Sequence, residues 1–213
     1  FEVLKGDPNA ICVMVSADAW IHPVAAFEDT IRAAVKHVEA HDQVTIIGIP
    51  PTRPHTGYGY IKTKTVPESE LAIVQVDSFK EKPDLPTALQ YVESGDYYWN
   101  AGMFIWRPEV ILSAIKLHAP ELSSGLEELS SAWDASGSLG DAMGQVYPHL
   151  KKISIDFAVM EKAEGVVMLE SDFDWDDVGE WPAIARHYPA DPQGNVFKGA
   201  GKAMDAEGNL AFA

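Results

Sequence analysis

Asp174, Asp176 and Asp177 crowd into Phe173–Trp181 (FDWDDVGEW), a segment that also holds two tryptophans. Carboxylates this close repel one another unless solvent or a cation neutralises them. Mg²⁺ takes hard oxygen ligands, often one or two carboxylates, with water and substrate phosphates completing its shell. A solvated acidic turn with the tryptophans packed inward would use the same residues. Asp18 follows the apolar run Ile11–Val15, at the carboxyl end of a strand, where open α/β sheets bind ligands; a turn aspartate is the alternative. Phe79–Pro83 (FKEKP) carries Lys80, Glu81 and Lys82. A lysine there suits a phosphate, and a neighbouring glutamate suits sugar hydroxyls, although an exposed turn ended by proline also fits. Thr56–Ile61 (TGYGYI) and Trp99–Phe104 (WNAGMF) set Gly57, Gly59 and Gly102 beside aromatic residues such as Tyr58. Glycine admits close approach of backbone to ligand, and Asn100 offers both a donor and an acceptor. Turns over core aromatics remain the competing reading.

The elements that must position these residues read as α/β. Ile11–Val15 and Val44–Ile49 are continuous apolar runs, which predicts strands buried on both faces under helices. Between them Phe27, Ile31, Val35 and Val38 recur at helical spacing. Ala72–Phe79 and Ala101–Arg107 read as strands, and Leu89–Ser94 as a helix with Pro86 near its start and Gly95 as its stop. A helix opens at Pro108, and residues 121–147 are helical with a soft Ser/Gly patch at 135–140. Short helices at 155–162 and 179–187 flank a strand at 166–169. From Asp191 the chain turns glycine-rich and polar, as a linker or the start of another module would.

Composition narrows the function. The 213 residues are 46% hydrophobic and 23% charged, which excludes wholesale disorder. Sixteen basic residues face 32 acidic ones, a net charge of −16. That balance repels a nucleic-acid backbone and an anionic membrane surface, so neither is an expected partner. No apolar run is long enough to span a bilayer, and no leader pattern is visible. The single cysteine, Cys12, makes neither an internal disulfide nor a Cys-based zinc site. A reducing, cytoplasmic setting is expected, with Cys12 an inert core residue of an apolar strand. His37 and His41 have zinc-site spacing, but Glu39 stands one place late for the metalloprotease pattern. The sequence contains no P-loop and no nucleophile elbow.

The order of these segments is specific. Val15–Asp18 (VSAD), TGYGYI, FKEKP, Tyr98–Phe104 (YWNAGMF), Ile153–Lys162 (ISIDFAVMEK) and WDDVGEW resemble, in sequence order, the mannose-1-phosphate guanylyltransferases, a family of sugar-phosphate nucleotidyltransferases. The resemblance implies a Rossmann-like mixed α/β domain over residues 1–190, followed by a linker and the start of a small β-rich module over 191–213. It implies a reaction that joins mannose 1-phosphate to GTP, giving GDP-mannose and pyrophosphate. It also implies Mg²⁺ on Asp18 and Asp177, a catalytic Lys82 on the sugar phosphate, and a sugar pocket lined by Gly57, Tyr58, Gly59, Glu81, Asn100, Gly102, Asp156 and Glu161. A homodimer stays open. The chain departs from the family in lacking the glycine-rich loop G-G-x-G-x-R-L-x-P-L, and in Ser16, Ala19 and Phe157. The expectation is therefore a fragment truncated at both ends, short at its start by about three βα units of ~30 residues each. The alternatives are a nucleotidyltransferase of the same fold for another sugar or base, or a non-catalytic sugar-nucleotide-binding subunit.

Overall fold

The computed structural model describes residues 2–69 and 71–212; Phe1, Glu70 and Ala213 lie outside them. In chain order the elements are α1 (Glu2–Gly6), β1 (Cys12–Met14), β2 (Ala19–His22), α2 (Val24–Ala40), β3 (Thr45–Ile49), β4 (Tyr60–Thr63), β5 (Ile73–Lys80), α3 (Leu85–Ser94) and β6 (Tyr97–Trp106). They continue with α4 (Pro108–His118), α5 (Pro120–Ser136), α6 (Leu139–Val146), a 3₁₀ turn (Tyr147–His149) and a π-helical turn (Asp156–Met160). The last are β7 (Val167–Glu170), β8 (Asp174–Asp177), α7 (Trp181–Ala185), β9 (Val196–Lys198) and β10 (Leu210–Phe212).

Every residue of β3 is buried, as its unbroken apolar run requires. It lies inside a six-stranded mixed sheet of order β1-β6-β3-β7-β5-β4, in which β3 and β7 run parallel and the other pairs are antiparallel. Side chains of β3 alternate between two cores. Ile46 joins Phe104, Ile111, Ile115, Val159 and Met168 on one face, under α4 and the π turn. Ile47 joins Ala34, Val38, Met103, Ile105 and Leu169 on the other, under α2. The expected mixed α/β architecture is the one observed.

Strand β6 does the positioning. Its later half pairs with β1 and β3, while Tyr97–Trp99 pair with β4. Opposite β3 the register slips between Ile46 and Gly48, where Asn100 and Phe104 become the partners. The extra β6 residues bulge, and Gly102 takes a left-handed φ of +67° that only glycine adopts without cost. Bulges redirect side chains, and this one carries Asn100.

Several sequence expectations need correction. Val13, Met14 and Val15 are 38%, 52% and 48% exposed, because β1 pairs with β6 alone at the sheet edge. Cys12 is accordingly half-buried rather than a core residue. Trp181, which the alternative reading of the acidic run packs inward, is 69% exposed. Helix α3 begins at Leu85, four residues early, because Asp84 caps it through the Thr87 amide at 2.9 Å. His37 and His41 stack on each other at 4.3 Å, and no group of three or more metal-binding side chains forms among the described residues. Among those residues no helix is long and apolar enough to cross a membrane.

Candidate functional site

The acidic run of the sequence is a strand, not a turn. β8 pairs antiparallel with β2 in a two-stranded ribbon, with Ala19 opposite Asp177 and Trp20 opposite Asp176. The ribbon separates the carboxylates: Asp174, opposite His22, is exposed. Asp176 is buried and accepts 2.8 Å hydrogen bonds from Nε and Nη2 of Arg186 and a 2.9 Å bond with His187 Nε2. Burial pushes its carboxyl up, but the Arg186 fork and His187 outweigh that and hold it below the usual carboxylate range. The His187 ring stacks on Trp20 at 3.9 Å, tying the latch back to β2. Asp177 is exposed, and its two oxygens lie 3.8 Å from the point where a side chain on Gly179 would begin. Asp18 precedes β2 by one residue and so stands beside the Asp177 end of the ribbon. Neither Asp18 nor Asp177 has a hydrogen-bond or ion-pair partner among the described residues.

A second group assembles around Gly59, in the turn before β4. A side chain on Gly59 would begin 2.5 Å from Glu81 Oε2, 3.1 Å from Phe79 Cζ and 3.3 Å from Asn100 Cβ. The Asn100 amide donates to the Gly59 carbonyl at 2.8 Å. Asn100 Oδ1 accepts from the Gly102 amide at 3.1 Å, and its Nδ2 donates to Asp156 Oδ1 at 3.2 Å. Glu81 has a 10% exposed side chain, with Oε1 3.2 Å from Lys82 Nζ. Burial pushes Glu81 above the usual 4.5, Lys82 pulls it back, and Asp156 and Glu161 add to the rise. The two groups adjoin, since Ser16 Oγ lies 3.5 Å from where a Gly102 side chain would begin. Ser16 has its own place at this junction, which nothing in its type announced.

Of the sequence-derived residues, Gly59, Glu81, Lys82, Asn100, Gly102, Asp156 and Glu161 converge directly. Gly57 and Tyr58 stand apart. The Tyr58 ring is buried against His55 at 3.8 Å and edge-on to Trp99 and Trp175, so only its backbone faces the group. Gly57 is an exposed turn residue whose amide donates to His55 Nδ1 at 3.2 Å. A cleft of about 740 Å³ opens past the carboxyl ends of β3 and β7 against the latch side of the ribbon, between Trp20, Pro50, Arg53, Trp175 and His187.

Lys82 takes a left-handed φ of +47°, its amide held by the Tyr58 carbonyl at 3.2 Å. This conformation costs a side-chain-bearing residue about 1–2 kcal/mol, and such strain collects at functional sites. Lys82→Gly is therefore expected to be more stable than Lys82→Ala by about 0.5–1 kcal/mol, the relief less glycine's larger unfolded-state entropy. Thermal melts of the two variants measure the difference.

The model of the family described as nucleotidyl transferase matches residues 1–193. A mannose-1-phosphate guanylyltransferase of Escherichia coli is 36% identical over 192 residues, which cover 90% of this chain and 41% of that protein. A crystal structure from Thermus thermophilus, described as a mannose-1-phosphate geranyltransferase, superposes with a TM-score of 0.82 at 34% identity. It covers 99% of this chain and 59% of its own. One from Helicobacter pylori, described as a mannose-6-phosphate isomerase, gives 0.68 at 25% identity over 83% of this chain and 67% of its own. The chain thus spans about two fifths of the length of the curated relatives it matches. With a family model matched over nearly its whole length and a neighbour that shares its mixed sheet, the chain belongs to the nucleotidyl transferase family.

Proposed function

We propose that this chain provides the sugar-phosphate pocket and the metal-binding carboxylates of a cytoplasmic mannose-1-phosphate guanylyltransferase. Residues 1–190 form its transferase domain, and 191–213 lead into a further β-rich module. The observation that carries the reading is the convergence of Glu81 and Asn100 on Gly59, with Lys82 ion-paired to Glu81, and with Ser16, two residues before Asp18, against Gly102. The mannose phosphate shared by the names of the similar proteins supports the choice of sugar.

In this reading a phosphate oxygen of mannose 1-phosphate attacks the α-phosphorus of GTP in line. The bond to the β-phosphate breaks, leaving GDP-mannose and pyrophosphate. The nucleophile is ionised at neutral pH, so no general base is required, and the chain's task is positioning and charge stabilisation. Lys82 holds the sugar phosphate. Glu81 and Asn100 take the sugar hydroxyls, with Asn100 pre-oriented by Gly102 and Asp156. Asp18 and Asp177 fit Mg²⁺: both are exposed carboxylates at one end of a ribbon, and such an ion keeps water and phosphate as its remaining ligands. Bound there, the ion would neutralise phosphate charge.

The test is pyrophosphate release by the protein as its host makes it, with Mg²⁺ and each of GTP, ATP, CTP and UTP. Mannose 1-phosphate with GTP is expected to be the productive pair. Preference for glucose 1-phosphate or another base, or no release with any, overturns the reading. A pH dependence follows from Glu81, whose ionised carboxylate accepts stronger hydroxyl hydrogen bonds than its protonated form. Because its folded pKa is raised, the fall in kcat/KM on acidification is expected to begin above the ordinary glutamate range. Glu81→Gln should remove that limb from the pH–rate profile.

A further inference from the structure

The π-helical turn Asp156–Met160 is a local irregularity with a geometric result. The Glu161 amide donates to the Asp156 carbonyl five residues back, at 3.0 Å. In an α-helix, with about 100° per residue, side chains five apart diverge by roughly 140°. A π turn of about 4.4 residues reduces that to roughly 50°. Asp156 and Glu161 therefore face the same side, while Ala158, Val159 and Met160 anchor the turn in the core. Each carboxylate then meets one component of the pocket. Asp156 receives the Asn100 amide group. Glu161 Oε1 receives the backbone N–H of Glu81 at 3.1 Å and lies 3.8 Å from Lys80 Nζ.

The next amide along the chain, that of Lys82, is held by the Tyr58 carbonyl. Two consecutive N–H groups are thus pinned by partners from two different elements. Immediately after the second of them, at Lys82 itself, the backbone enters the left-handed conformation that sets where the Lys82 side chain leaves the chain. We infer that Glu161 is a positioning residue: it fixes the Glu81 amide, and through it the strained Lys82 backbone, rather than binding the sugar. The inference rests on the proposed role of Lys82. The ion pair of Glu161 with Lys80 is a lesser matter, because Lys80 is 55% exposed and such pairs contribute little.

The test has two arms, both on the protein as its host makes it. Amide hydrogen exchange at Glu81 reads the pin without reference to activity. Glu161→Ala and Glu161→Asp, the latter too short to reach, are expected to speed that exchange about tenfold or more. Glu161→Gln keeps the acceptor oxygen and should leave it unchanged. In kinetics with GTP and mannose 1-phosphate, Glu161→Ala is expected to lower kcat about 10²-fold, the scale of a displacement near 1 Å, with Glu161→Gln restoring it to within about threefold. In a Lys82→Ala background, Glu161→Ala should cost almost nothing more, since residues acting as one unit are non-additive. Unchanged exchange at Glu81 in Glu161→Ala, or a full additive loss beside Lys82→Ala, overturns the inference. An unmutated protein without transferase activity would instead overturn the proposed function, while the exchange arm would still report on Glu161.

Discussion

Asp177→Ala is expected to lower Mg²⁺-dependent formation of GDP-mannose by about 10³-fold or more, with the melting temperature almost unchanged. The activity loss follows from removing one of two carboxylates that would hold the cation against the reacting phosphates. The stability expectation follows from exposure: the Asp177 side chain has no partner among the described residues, and substitutions of that kind stay within about 0.5 kcal/mol. The adjacent residue provides the contrast. Asp176→Ala strips Arg186 and His187 of a buried partner. Breaking a fully buried pair costs about 3–5 kcal/mol. Arg186 is 39% exposed, so about 2 kcal/mol is expected, or a fall in Tm of about 4–8 °C. Metal titration and thermal melts of both variants decide the matter. If Asp177→Ala melts early and keeps its metal dependence, the roles given to the two carboxylates are reversed.

Gly59→Ala is expected to raise the KM for the sugar phosphate by roughly 10²-fold, the cost of misplacing binding groups by about 1 Å. The added methyl would begin 2.5 Å from the Glu81 carboxylate and be closed in by Phe79 and Asn100. Phe79 is buried and Asn100 is fixed at both ends of its amide. The Glu81 carboxylate, the far end of a flexible side chain, must therefore yield, which moves it from its present place beside Lys82. Overpacking of this kind also destabilises by about 1–3 kcal/mol. Kinetics with the sugar phosphate varied at saturating GTP measure the effect, and an unaltered KM would remove Glu81 and Gly59 from the sugar pocket. Gly57→Ala is the control. Its only near neighbour is the His55 ring, at 3.0 Å, and it lies outside the converging group.

The sequence was most readable where one physical signal dominated. β3 and β7 follow from runs too apolar to face water, and α2 and α4 from helical spacing and from Pro108 at a helix start. It was least readable in the ribbon. Aspartate is a poor strand former, and β8 exists because β2 pairs with it and because Arg186 and His187 neutralise Asp176, none of which has a local signal. The residues around Gly59 were found by order and type. Their arrangement was not, because a bulge at Gly102, a left-handed Lys82 and a π turn at Asp156 each depend on contacts between distant segments. The same holds for Ser16, a small polar residue distinguished only by what lies across from it.

The ribbon also fixes an order of events during synthesis. Asp18 and Asp177 enter it from segments separated by most of the chain, and closing so long a loop is entropically costly until the intervening sheet has formed. At a synthesis rate of about 5–20 residues per second, roughly 8–30 seconds separate the emergence of the two carboxylates. A nascent chain therefore presents Asp18 without Asp177, and an ion that needs both carboxylates would add nothing to its early folding. On the proposed roles of the two carboxylates, affinity for the ion would be a property of the completed domain, and metal binding would report that folding has finished.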